Sequence, residues 1–276
     1  MSLKQTGVPI ASTLTAAVLP PLALFSSWRV SFVAAGVAVS VVGLLSHILY
    51  QPRLEHSPLP HGNAKERLAT DWKKIIRNRD IVSLSIAGAF CALVQISLFT
   101  YTVLYLMDAR KFELLQATFS LTLMSLGGIV GRVFWGAVSD RLFKGSRRIV
   151  LQILVAIIFG ITLLLGLNIY LPSFLLVIVF FILGTSAIGW NGVFHAFIGE
   201  ISGKEVVGLA TGVSMTIVFI GGLIGPLLYG KIVDVSKSHD VAWLFLAVAM
   251  AAAFLFYSRI REKPSGDRRS FKNTAA

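Results

Sequence analysis

Apolar residues fall into eight runs long enough to cross the hydrocarbon core of a bilayer, with polar breaks between them. They cover residues 8–26, 29–50, 81–106, 114–138, 149–167, 173–198, 207–230 and 241–258. Where no water is present, each backbone N–H and C=O needs a partner within its own segment, so runs of this length predict helices. The first run begins near Met1 without a small-residue cleavage site before the second, and reads as a span, not a removed signal. The expected fold class is therefore all-α, a polytopic membrane protein with eight transmembrane helices.

One break is much longer than the others. Its first part, from Gln51 to Asn63, contains Pro52, Pro58 and Pro60 and predicts irregular chain. Its second part places Leu68, Trp72, Ile75 and Ile76 at helical spacing, with Lys65, Arg67, Lys73, Lys74 and Arg77 around them. An amphipathic segment with Trp and cations suits a short helix lying in the membrane interface. Residues 51–80 thus divide a pair of spans, 1–50, from a group of six, 81–260, which is followed by a basic tail, 261–276.

Composition agrees with this pattern. Hydrophobic residues make up 55% of the 276 and charged residues 14%, against about 25% charged in soluble domains. Mean hydropathy is +0.78. The net charge of +12 is distributed unevenly. Twenty of the 25 basic residues lie at Lys4, in 51–80, at Arg132, in 139–148, in 199–206 and from Arg259 onward. The opposite set holds Arg29, Arg110, Lys111, Lys231 and Lys237. By the positive-inside rule the first set is cytoplasmic, which puts both termini inside. Anionic lipid accounts for the cations better than nucleic acid, because they are split among short loops instead of gathered on one domain.

Sequence chemistry argues against an enzyme. There are no facing carboxylates, nucleophile elbow, phosphate loop or metal-ligand cluster, and no cofactor is expected. The single cysteine, Cys91, lies inside an apolar run and has no partner for a disulfide.

Small residues mark where helices approach closely. Gly127 and Gly131 lie one turn apart, as do Gly208 and Gly212, while Gly221, Gly222, Gly225, Pro226 and Gly230 crowd the end of the seventh run. Such glycines pack helices, and Pro226 adds a point of bending. Polar residues within the runs are few. Isolated Ser and Thr bond their own helix, which leaves Gln95 in the interior and Tyr101, Trp190 and Asn191 nearer the ends as candidates for binding a small solute. His195 lies inside a run and is a candidate for a proton path.

Between the fourth and fifth runs stands Gly131-Arg132-Val133-Phe134-Trp135-Gly136-Ala137-Val138-Ser139-Asp140-Arg141, followed by Arg147 and Arg148. It resembles the cytoplasmic loop signature of the major facilitator superfamily, G-x-x-x-D-R-x-G followed by cations. Gly136, Asp140 and Arg141 match, Phe143 stands where the second glycine belongs, and Gly145 comes two residues late. Gly221-Gly222-x-x-Gly225-Pro226 resembles the family's glycine-proline helix motif. The segments Ser2 to Pro9 and Trp190-Asn191-Gly192-Val193 are similar to prokaryotic cyanate and organic-anion members.

The resemblance, to prokaryotic members, implies a secondary transporter of the cell (inner) membrane that moves a small solute, an organic or inorganic anion, by alternating access. It also implies that 81–260 is a complete C-terminal half, that 1–50 holds the last two helices of the N-terminal half, and that four earlier helices are absent. A truncated remnant, or a half-transporter needing a partner polypeptide, is the alternative. By the family's pseudo-symmetry Asp140 would cap the helix entered at Gln5 to Pro9 when the cytoplasmic side is closed. With Gly136 and with Arg141 or Arg132 as partners it would act as a conformational latch.

Overall fold

The computed structural model describes residues 25–49, 64–143, 145–203 and 206–261, together with 11, 14, 15, 18, 19, 22 and 23. Within 64–69 only the backbone is described. The helices are α1 (Trp28–Leu49), α2 (Ala64–Arg77), α3 (Arg79–Asp108), α4 (Leu114–Arg141), α5 (Arg147–Gly166), α6 (Ser173–Ala187), α7 (Trp190–Ser202), α8 (Val207–Ser236) and α9 (His239–Ser258).

Seven helical segments among the described residues are long and apolar enough to cross a membrane: α1, α3, α4, α5, the pair α6 and α7 taken together, α8 and α9. The remaining predicted span, 8–26, falls largely outside the described residues, as do the proline segment 51–63, the side chain of Leu68, the entry at Gln5 to Pro9 and the tail after Arg261. The amphipathic stretch after Asn63 does form a helix, α2. Its Ile75 is buried against the bundle, whereas Trp72 and Ile76 are about half exposed.

Residues 79–261 form the packed body. α3 is central: it runs alongside α8, touches α9 and crosses α4, while α5 packs on α9 and α4 pairs with α6. α1 makes no substantial contact with the other described helices, and its apolar side chains are exposed almost throughout.

Glycines set the two closest approaches. On α4, Gly127 and Gly131 lie against the backbone of Phe181 and Thr185, and Gly184 of α6 lies against that of Met124. On α8, Gly221 and Gly225 meet the backbone of Ala89 and Leu93 on α3. A Cβ at any of these positions would collide with main chain, which cannot move aside like a flexible side chain. Small residues are needed because lipid provides no hydrophobic drive to hold helices together and close van der Waals contact must do so. The Ser85 hydroxyl donates to that of Ser214 over 2.8 Å, adding a buried polar tie between α3 and α8. Gly208 and Gly212 differ from the other pairs: among the described residues nothing lies within 4 Å of a Cβ built there. Pro226 is accommodated inside an unbroken α8.

One element departs from the pattern of apolar runs. The run 173–198 predicts a single helix, but the chain breaks at Ile188 and Gly189 and restarts at Trp190. Gly189 sits where a side chain would strike the Thr185 carbonyl and the backbone of Gly131. Broken helices are tolerated at membrane depth where protein groups satisfy the freed backbone, and here the Ile188 carbonyl finds two side-chain donors.

Candidate functional site

Those donors come from α4 and from α7 itself. Arg132 Nε on α4 donates to the Ile188 carbonyl over 3.3 Å, and Asn191 Nδ2 on α7 reaches the same carbonyl at 3.2 Å. Asn191 Nδ2 also donates to Gln95 Oε1 on α3 at 3.1 Å, and the Trp190 indole Nε1 donates to that oxygen at 2.9 Å. Three helices therefore converge on a polar knot of Gln95, Arg132, Trp190, Asn191 and the Ile188 carbonyl. Gln95 lies sixteen residues into the thirty of α3, so the knot is close to the middle of the bundle.

Trp190 is fully buried, packed edge-on against Phe194 at 5.0 Å between ring centroids. Gln95 and Asn191 are only partly buried, so the knot has one closed side and one open side. His195 follows Asn191 by one helical turn, on the same face of α7, and its ring lies edge-on to Phe194. Gly88 of α3 leaves room for the Phe194 ring.

The sequence pattern put Trp190 and Asn191 nearer the span ends; the helix break instead brings them beside Gln95. Tyr101 is separate. It stacks on Tyr229 of α8, with centroids 4.6 Å apart, toward the end where the Tyr229 hydroxyl meets His239 Nδ1 at 3.2 Å. His239 Nε2 stands 3.6 Å from Asp108 there, a cluster that periodicity does not reveal because His239 begins α9 instead of lying within an apolar run.

The basic end of the bundle is joined by ion pairs. Asp140 at the end of α4 pairs with Arg147 Nη2 of α5 at 2.6 Å, and Arg147 Nε reaches Glu200 of α7 at 3.2 Å. Asp140 is thus joined to Arg147. Arg132 cannot be its partner, because eight helical residues separate the two along α4, about 12 Å at the α-helical rise. Nor is Arg132 a rim cation: it is 3% exposed, inside the bundle. Arg141 is exposed at the end of α4, and Gly136 is half-buried one turn before Asp140. The displaced glycine still makes the turn: Gly145 has φ +83° and its N–H bonds the Ser139 carbonyl at 2.8 Å. That left-handed conformation favours glycine, so Phe143 needs no special backbone.

A bundle of glycine-packed apolar spans, one of them interrupted, around a central polar knot defines a multi-pass helical membrane protein. The chain belongs to the Major Facilitator Superfamily, whose family profile matches residues 1–226. It is similar to a probable galactarate/D-glucarate transporter of Bacillus subtilis, with 31% identity over 204 residues covering 70% of this chain and 44% of that protein. It is similar to a hexuronate transporter of the same organism, with 26% identity covering 95% of this chain and 65% of the relative. Its fold resembles the E. coli fucose:proton symporter, with TM-score 0.63 and 16% identity over 88% of this chain and 56% of that one. The chain thus spans about half to two thirds of the length of these proteins.

Proposed function

We propose that the protein takes part in secondary transport of a small carboxylated solute of the sugar-acid class, by alternating access around the knot at Gln95, Trp190 and Asn191. The observation that carries this reading is the convergence of those three side chains on one partly open point near the bundle centre. The relatives named for galactarate, glucarate and hexuronate support the solute class. Amide groups suit hydroxyl and carboxylate oxygens, and nearby Arg132 makes the local field favourable to an anion.

In this reading the chain has eight spans, with 8–26 as the first. Residues 1–50 are the last two helices of one half, 51–80 a cytoplasmic linker and 81–260 the six-helix second half, with both termini cytoplasmic in the cell membrane. The clustering of Arg79, Arg141, Arg147, Arg148, Arg259 and Arg261 at one end of the described bundle supports that orientation. Asp140 acts as a latch through Arg147, and Gly127, Gly131, Gly221, Gly225 and Pro226 give the close, smooth contacts that rocking requires. His195 faces the same side as Asn191 and serves a proton path.

Uptake of labelled glucarate, galactarate and glucuronate into proteoliposomes tests the proposal, with glucose as the neutral control. Saturable uptake of the acids, lost in Gln95→Leu, is expected. Equal uptake of glucose, or no uptake under any imposed ion gradient, would overturn it.

A further inference from the structure

A second concave surface lies away from the central knot, at the end of the bundle where α2 stops, α3 begins and α9 finishes. A cleft of about 890 Å³ opens there, and its lining includes Arg79, Ser83, Arg259 and Arg261. Asp80 is the one acid in the wall, and it faces the chain: its Oδ1 accepts the Arg261 backbone N–H at 3.1 Å. Three guanidinium groups against one engaged carboxylate leave the cleft strongly cationic. Arg259 is exposed, with its guanidinium over the Phe256 ring, 5.5 Å from its centroid.

The cleft continues into hydrocarbon. A groove of about 610 Å³ runs along α3, α8 and α9, and every residue lining it is apolar or glycine. Ile86 lines both spaces. Phe90 of the groove stacks on Phe256 of the cleft with centroids 6.2 Å apart, joining their floors. Ile220, Ile224 and Val248, which border the groove, are exposed in the described chain.

We propose that cleft and groove together bind one anionic phospholipid, with its phosphate among Arg79, Arg259 and Arg261 and an acyl chain along α3 and α9. A free phosphate would use the cations but leave the apolar groove without purpose. A neutral lipid would use the groove but gain nothing from three arginines. The juxtaposition of a cationic mouth with an apolar channel at a span end fits the two parts of one amphipathic molecule. α2 adds to the fit, since exposed Trp72 and Ile76 bring the same end of the bundle to headgroup depth.

Native mass spectrometry of the full chain in neutral detergent, with phosphatidylglycerol or phosphatidylcholine added, decides the matter. Phosphatidylglycerol is expected to be retained at least ~10-fold more strongly, the advantage a charge-assisted site gives over the groove alone. The triple variant Arg79→Gln, Arg259→Gln, Arg261→Gln should lose that preference, whereas Lys231→Gln with Lys237→Gln, at the other end, should keep it. Ala252→Trp, which fills the groove, should weaken phosphatidylglycerol retention with every arginine in place. If the triple variant does not fold, Arg259→Gln alone and Ala252→Trp carry the test, since Arg259 is exposed and Ala252 lies at the groove wall. Equal retention of the two lipids, undiminished retention in the variants, or full displacement by inorganic phosphate would overturn the proposal.

Discussion

The indole N–H of Trp190 and the side-chain oxygen of Gln95 meet at 2.9 Å, ninety-five residues apart in sequence, and so pin the start of α7 to the middle of α3. The indole is buried and Gln95 is the acceptor that satisfies it. An N–H at that depth has no water to turn to, so the pair is structural as well as being part of the proposed solute site.

Removing the acceptor should therefore hurt more than removing the donor. We predict that Gln95→Leu, which strands the buried indole, lowers stability by about 1–3 kcal/mol. Trp190→Phe, which deletes the donor along with part of the ring, should couple to it. The double variant should be less destabilised than the sum of the two single changes, as expected for groups in direct contact. Thermal unfolding in detergent reads this, and strict additivity would show that the hydrogen bond does not hold the helices together.

Glycines of the same type in the spans should respond in opposite ways. A Cβ at Gly131 would lie 2.6 Å from Thr185 Cα, whereas nothing lies within 4 Å of one at Gly160. The prediction is that Gly131→Ala costs about 1–3 kcal/mol through overpacking of α4 on α6. Gly160→Ala should be neutral or stabilising by up to about 1 kcal/mol through reduced backbone freedom. Equal melting temperatures for the two variants would refute the close approach.

For Asp140 the expected change is in conformation and not in stability. Its carboxylate is 61% exposed beside Arg147, and pairs of that exposure contribute about 0.2–1 kcal/mol. Asp140→Asn should shift the melting temperature little but alter the balance of inward-open and outward-open forms. The charge-swapped double variant Asp140→Arg, Arg147→Asp should restore that balance only in part, because a carboxylate at position 147 would face Glu200. Spin-label distances across the basic end of the bundle measure it, and populations unchanged in Asp140→Asn would remove the latch.

Cys91 offers a direct reporter of the fold. It is 1% exposed, and its Sγ lies 3.6 Å from the Tyr257 hydroxyl on α9. Maleimide should label it at least ~100-fold more slowly in the folded protein than after denaturation, because reaction requires local opening. Rapid labelling in mild detergent would mean that α3 and α9 are not packed as described.

How legible these features are in the sequence depends on the kind of force involved. The seven described spans follow from apolar length, since any segment that crosses hydrocarbon must satisfy its own backbone. Gly127, Gly131, Gly221 and Gly225 stand out as pairs one turn apart, and all four meet neighbouring backbone. Gly208 and Gly212 have the same spacing and meet nothing among the described residues, so spacing alone does not say which face of a helix has a neighbour. Gly184, packed on Met124, and Gly189, at the break, carry a weaker signal because they sit five apart in a run that is apolar throughout.

The sequence by itself determined that this is a helical membrane protein, where its seven described spans lie, and that the cations of the described bundle gather toward one end. These properties are written in local composition, since transfer into hydrocarbon is decided residue by residue. Only the tertiary structure decided that the run 173–198 is two helices, that Arg132 lies inside the bundle, that Asp140 pairs with Arg147, and that Gln95, Trp190 and Asn191 share one point. The reason is physical: a buried polar group is tolerated only where distant segments supply its partners, and those partners are fixed by how the helices pack.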